Sequence, residues 1–307
     1  MRVAFAGSPE AAVPPLRELA RSAEHDVVLA VTQPDKARGR SRRPSSTPLG
    51  AAAEELGIPV IRPATINAHE VVQRIDESGA DALVVVAFGQ ILRDVVLSRW
   101  ECVNVHFSLL PAYRGAAPVE RAIMDGVPRT GVAIMRMEAG LDTGPVFARQ
   151  EVEIAPDEDA GSLTARLSAA GGPLLVRVLS DIEAGRADPV PQPDEGVSLA
   201  AKITSEDRLL DLSRPAAELA RRVRALSPQV GATLPIDGQW FKVWRTRVAP
   251  GRPIPGLVTD GGRLLAGTGA DILEILELQP PGKGRMATAD FLRGYRGELR
   301  VAEPADG

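Results

Sequence analysis

The chain opens Arg2-Val3-Ala4-Phe5-Ala6-Gly7-Ser8-Pro9-Glu10, an apolar run that stops at a turn and gives way to a helical pattern over 13–20. Strands buried on both faces of a parallel sheet read as short continuous apolar runs, not as alternation. Three more such runs lie at 27–31, 83–87 and 103–105, and Val60-Ile61, directly after Pro59, is a shorter one expected nearer a sheet edge. Helical patterns at 48–56 and 68–78 lie among them. The alternation predicts an α/β fold, a Rossmann-like doubly wound and mostly parallel sheet. Right-handed crossovers bring the carboxyl ends of parallel strands to one edge, where ligands collect. Asn104 and His106 stand at that end of the fifth strand.

Beyond it the pattern gives a helix at 117–124, strands at 132–137 and 146–154, and a long amphipathic helix at 161–184 that Gly171-Gly172-Pro173 is expected to bend or interrupt. A stretch rich in Pro, Asp and Gly over 185–196 reads as the start of an extended linker. One helix (215–226) then precedes short strand candidates at 232–236, 241–248, 256–259, 263–266 and 272–278, punctuated by Gly and Pro. Many short strands with turn signals predict a smaller OB-like β-barrel domain. The expected organisation is a catalytic domain over 1–186, a linker over 187–206 and the barrel domain over 207–307. Trp240 and Trp244, four apart in one strand, are expected on the same face as barrel packing.

Among 307 residues, 44% are hydrophobic and 25% charged, ordinary values for a globular protein. No apolar run approaches the ~20 residues that span a bilayer, and no leader precedes the first strand, so a cytoplasmic protein without a membrane partner is expected. The single cysteine, Cys102, forms no intrachain disulfide and fits a reducing compartment, where it reads as a small buried hydrophobe. With His25, His69 and His106 as the other soft ligands, no metal site is expected; His25 and His69 read as surface residues. The net charge of -4 argues against a general nucleic-acid binder. Yet Lys36, Arg38, Arg40, Arg42 and Arg43 cluster in one short stretch beside Asp35, and net charge does not exclude a local phosphate-binding surface.

The chemistry concentrates in Asn104-Val105-His106-Phe107-Ser108-Leu109-Leu110-Pro111, continuing into Tyr113-Arg114-Gly115-Ala116-Ala117-Pro118, with Met137, Gly140, Leu141, Asp142, Thr143 and Gly144 downstream. Two residues apart on a strand, the Asn104 and His106 side chains share a face. Attack on an acyl carbon builds negative charge on its oxygen, which a fixed amide NH2 can stabilise. The attacking amine must lose a proton and the leaving nitrogen must gain one, a task suited to an imidazole titrating near neutrality. A nearby carboxylate orients the ring and favours its charged form. Singly, these residues are commonplaces of turns and strand ends; their ordered combination is long and specific.

That combination resembles the folate-dependent formyltransferase family over nearly the whole chain, from Phe5-Ala6-Gly7-Ser8-Pro9-Glu10 to about Leu292. The resemblance implies a Rossmann-like catalytic domain with an OB-like domain behind it, and 10-formyltetrahydrofolate as donor. Asn104, His106 and Asp142 match the family's catalytic three. Ser108, Leu109, Leu110 and Pro111 match a folate-contacting segment, and Phe88, Gly89, Gln90, Ile91 and Leu92 match another pterin-side wall. The stretch from Thr32-Gln33-Pro34-Asp35 through Arg40 is similar to a basic loop that tRNA-directed members set against the acceptor stem, with Arg40 at its key position. The segment from Gln279 to Met286, with Lys283 and Arg285, is similar to their tRNA-side domain. The resemblance therefore implies methionyl initiator tRNA as acceptor; a monomer is expected. The departures are Pro228-Gln229-Val230-Gly231 in place of an aromatic and a second proline, Phe88 for a tyrosine, and Ser8-Pro9-Glu10 for Thr-Pro-Asp. Two alternatives stay open: a relative acting on an amino sugar or glycinamide ribonucleotide, and a dinucleotide enzyme or nucleotide-binding module. The second is disfavoured because Gly7-Ser8-Pro9-Glu10 lacks the Gly-x-Gly-x-x-Gly fingerprint.

Overall fold

The computed structural model describes residues 1–37, 44–252 and 254–302. Its contacts gather into two units: 1–118, 129–153 and 164–200 form the first; 119–128, 154–163 and the chain from 201 onward form the second.

The first unit is built on a seven-stranded sheet in the order Val146–Glu153, Arg129–Arg136, Glu101–His106, Ala82–Val86, Arg2–Gly7, Asp26–Val31, Val60–Ile61. The last five run parallel, and each of the two beyond Glu101–His106 is antiparallel to the strand before it. Val3 to Ala6 and all of Ala82–Val86 are buried, as continuous apolar strands covered on both faces must be. From Arg2–Gly7 the chain steps outward to the Val60–Ile61 edge, then returns to the other side of Arg2–Gly7 at Ala82–Val86. The order reverses there, and the neighbouring Glu101–His106 strand delivers its carboxyl end beside that switch point.

The Ala160–Glu183 helix is not interrupted by Gly171, Gly172 and Pro173. The helix continues through them for two reasons. A Cβ on Gly171 would stand 3.0 Å from Val105 Cγ1 and 3.3 Å from Val132 Cγ2, so glycine lets the helix lie close on the sheet. A proline in a helix interior costs about 3 kcal/mol. Leu167, Leu174, Leu175, Val178 and Leu179 are all buried, at roughly 1.5–3 kcal/mol each, which outweighs it. The same helix corrects the surface reading of His25: the ring is buried, with Nε2 3.2 Å from Val176 O and 3.1 Å from Ser180 Oγ. Its helical partner is about 150 residues away in sequence, beyond any local pattern. His69 is exposed, as read. No helix among the described residues is long and apolar enough to cross a membrane.

The second unit carries the smaller OB-like domain, an antiparallel sheet ordered Ala232–Ile236, Gln239–Ala249, Ile272–Gln279, Arg263–Gly267, Leu257–Asp260. The Ala216–Leu226 helix buries Leu219, Val223 and Leu226 in one core with Leu234, Phe241, Val243 and Ile275. The two tryptophans part company, against the same-face expectation: Trp240 is 46% exposed and Trp244 is 8% exposed. The register shifts between Val243 and Arg245, and an extra residue there breaks the two-residue alternation.

Arg121, on the Pro118–Asp125 helix, clamps Asp207 through Nη1–Oδ1 at 2.7 Å and Nη2–Oδ2 at 2.6 Å. That bidentate bond, against a smaller opposing effect of burial, holds the Asp207 carboxyl down at about 2 from an ordinary 3.8. A depressed folded pKa contributes stability above the ordinary value and loses it as pH falls through the folded one. Arg121→Met is therefore expected to cost about 2 kcal/mol at pH 7, by loss of a hydrogen-bonded charge partner. The gap to wild type should close as pH drops below 3.8 towards 2, read by urea titrations across that range.

Candidate active site

Asn104 and His106 lie within the last three positions of the Glu101–His106 strand, alternating with Val103 and Val105. Val105 faces the glycine of the long helix, so Asn104 and His106 face the other way, as does Cys102. Asn104 pairs in the sheet with Val85 and Met135, and its side-chain amide has no hydrogen-bond partner among the described residues. Both residues are buried. Two loops then supply the surroundings of His106. The first leaves the strand, turns at Ser108, whose buried hydroxyl donates to Ala112 O at 2.6 Å, and brings Tyr113 O to 2.9 Å from His106 Nε2. A carbonyl only accepts, so this contact is a hydrogen bond only with the proton on Nε2. Nδ1 faces the second loop, 3.7 Å from Asp142 Oδ2.

Asp142 is a non-glycine residue in the left-handed region, φ 51°. Its Oδ2 accepts the Gly115 N–H at 2.8 Å, which ties the two loops together beside the imidazole. Gly115 has φ 127°, and a Cβ there would stand 2.7 Å from Ala200 O. Backbone this close, in a conformation L-residues avoid, requires glycine. The structure thus brings Asn104, His106 and Asp142 to one sheet edge.

The two segments matched to folate are divided by burial. Phe88 and Leu92 lie inside the core cluster of the sheet, while Ile91 between them is 83% exposed. The loop carrying Ile91 is pinned from below. Gln33 Nε2 donates to Phe88 O at 2.8 Å, the Ile66 N–H to Gln90 Oε1 at 2.7 Å, and Asn67 Nδ2 to Ile91 O at 2.8 Å. Gly89 completes the turn with φ 74°. Of the second segment, Ser108 and Leu110 are buried, and Leu109 and Pro111 are half-buried. Gly89 and Ile91 are the exposed members of the two segments. Cys102 is buried with its thiol pushed up to about 12 by burial first and the Glu101 charge second, which suits a packing residue.

Of the basic residues, Arg38, Arg40, Arg42 and Arg43 lie outside the described residues. The Lys36 backbone pairs with Ser45 in a two-residue ladder. In the second unit Lys283 and Arg285 are exposed, and the Arg285 guanidinium lies 3.7 Å over the Trp244 ring. Sequence reasoning passed over the backbone groups of Tyr113 and Gly115, and over Gln192, which reaches the Asp142 loop. Backbone groups leave no residue-type signature, and a lone Gln in a Pro-rich stretch gives no signal at all.

Residues 1–179 match the formyl transferase family and residues 202–296 match the formyl transferase C-terminal domain, and the chain belongs to that family. It is 45% identical over 302 residues to the methionyl-tRNA formyltransferase of Halorhodospira halophila, covering 96% of each chain. To the methionyl-tRNA formyltransferase of Arthrobacter sp. (strain FB24) it is 45% identical over 299 residues, covering 96% of this chain and 97% of the relative. The crystal structure of WlaRD, a sugar 3N-formyl transferase, has the same fold with a TM-score of 0.67 at 17% identity, over 92% of this chain and 99% of that one.

Gly115→Ala should displace the 114–117 backbone and pull its N–H off Asp142. Steady-state formyl transfer is expected to fall at least about 10-fold. Thermal unfolding should register the strain as a loss of about 1–3 kcal/mol.

Proposed function

We propose that this chain transfers the formyl group of 10-formyltetrahydrofolate to the α-amino group of methionyl initiator tRNA, in support of translation initiation. The observation that carries the reading is the grouping of Asn104, His106 and Asp142 at the carboxyl edge of the sheet, in a chain 45% identical along 96% of its length to a methionyl-tRNA formyltransferase.

The amine nitrogen of the esterified methionine attacks the formyl carbon, and the carbonyl electrons move to oxygen. The Asn104 amide, free of other partners among the described residues, donates to that oxyanion. His106 Nδ1 takes the proton shed by the amine, and the Asp142 carboxylate 3.7 Å away supports the resulting imidazolium. As the tetrahedral adduct collapses, the carbonyl re-forms, the bond to the folate nitrogen breaks, and the proton passes to that nitrogen. The Phe88–Leu92 loop and the Ser108–Pro111 segment form the donor side, with Ile91 offering the exposed apolar surface.

Lys36, Arg38, Arg40, Arg42 and Arg43 pair with acceptor-stem phosphates, and Lys283 and Arg285 add contacts from the OB-like domain. In this reading 1–186 is the catalytic domain, 187–206 the connector and 207–307 the tRNA-side domain. A monomer acting in the cytoplasm is part of the same proposal.

Asn104→Ala is expected to lower kcat about 10²–10³-fold, as loss of an oxyanion donor does elsewhere. His106→Ala should lower it about 10²–10⁴-fold. Near-normal turnover in both would sink the assignment. The acceptor is tested by supplying 10-formyltetrahydrofolate with either charged initiator tRNA or an amino sugar nucleotide; preference for the sugar overturns it. Arg40→Ala should weaken tRNA binding and reduce the slope of log K against log salt by about 1.

A further inference from the structure

The stretch read as the start of a linker crosses the site. The Val190 N–H and carbonyl both bond Val146 at 2.9 Å, just past the Asp142 loop. At its other end Ser198 Oγ accepts the Tyr113 N–H at 2.8 Å, Ser198 O accepts the Arg114 N–H at 2.9 Å, and Leu199–Ala200 pairs with Arg114–Gly115. It therefore bridges the loop that gives His106 its carbonyl and the loop that carries Asp142.

Gln192 sits midway. Its Nε2 donates to Asp142 O at 2.8 Å and to Gly144 O at 2.7 Å. Its Oε1 accepts from Arg114 Nε at 3.0 Å and Nη2 at 2.8 Å. All four hydrogen-bonding positions of the amide are used. A guanidinium only donates and the two carbonyls only accept, so the amide has one workable orientation. Its nitrogen is thus committed to the carbonyls on either side of Thr143. Asp142 occupies a left-handed conformation that L-residues hold only where surroundings over-determine it, and these two bonds are part of that determination.

We propose that Gln192, oriented by Arg114, is a positioning residue for formyl transfer: it holds the Asp142 backbone so that the carboxylate meets the Gly115 N–H and faces His106. The inference rests on the assignment of Asp142 to the catalytic three.

Gln192→Glu is nearly isosteric and separates the two halves of the role. The carboxylate still satisfies Arg114, but it turns an acceptor towards two carbonyls. With the full chain, kcat is expected to fall about 10–100-fold, the size of effect that small misplacements of catalytic groups produce. KM for donor and acceptor should change less than about 3-fold, with the thermal midpoint held within a few degrees because the Arg114 pair survives. Introduced into Asp142→Ala, the same substitution should cost less than about 3-fold more, since a residue acting through Asp142 has nothing left to position. Normal kcat in Gln192→Glu, or a full additional loss in the Asp142→Ala background, overturns the inference while leaving the catalytic assignment in place. Normal turnover in Asp142→Ala alone overturns that assignment, and this inference with it.

Discussion

The hydrogen bond from the Gly115 N–H to Asp142 Oδ2, 2.8 Å long, joins loops 27 residues apart in sequence. On it depends what faces the imidazole. A carboxylate at 3.7 Å from His106 Nδ1 is too far for a direct hydrogen bond, so the imidazole does not itself fix the position of Asp142. The position comes from backbone: the Gly115 amide on one oxygen, and a left-handed main chain at Asp142 behind it. Gly115 can present its N–H because its own conformation, with Ala200 O close by, leaves no room for a side chain. Each partner is in turn held by the 190–200 segment, which pairs with both loops. A side-chain constellation of three residues is thus kept in register by a backbone framework several times its size.

This explains what was legible in the sequence. Continuous apolar runs gave the buried parallel strands because burial on both faces dictates their composition, and the proline directly before the short Val60-Ile61 run marked it as an edge strand. Asn104 and His106 followed from two-residue alternation on a strand whose end is fixed by topology. Asp142 came only through resemblance, since no local spacing relates it to His106. The supporting carbonyl of Tyr113 and the amide of Gly115 were invisible in principle: every residue has them, and only the fold aims them. Gln192 was hidden for a different reason, because its stretch looks like a connector by composition and acts as structure through long-range bonds.

The misreadings share a cause. His25 was placed on the surface from its neighbours in sequence, whereas its environment is set by Val176 and Ser180. Trp240 and Trp244 were given one face by a rule that a single inserted residue reverses. Gly171-Gly172-Pro173 reads as a bend or interruption because propensity counts only local cost; tertiary burial of five apolar side chains keeps the helix unbroken, and the glycine that lowers propensity is what permits the contact with Val105. In each case a local regularity gave way to a contact or a register shift that the neighbouring sequence does not encode.

Charge is organised on the same division between internal and outward use. Glu274 is buried and binds Arg247 and Arg263, which hold its carboxyl below the usual range; Arg121 is spent on Asp207, and Arg136 on Glu101. Arginines neutralised in this way add little to long-range attraction. In a chain of net charge -4, the run from Lys36 to Arg43 holds five cations in eight residues, with Asp35 just before it bonded to Arg62. A polyanionic acceptor is attracted by such local excess more than by the total, because at physiological salt the field of distant charges is screened within ~8 Å. A fixed constellation of side chains and a local excess of charge rest on different physics. The first depends on donor and acceptor positions fixed to fractions of an ångström, where an isosteric change can be severe. The second depends on the number and sign of charges, where geometry is forgiving and neutralisation is not.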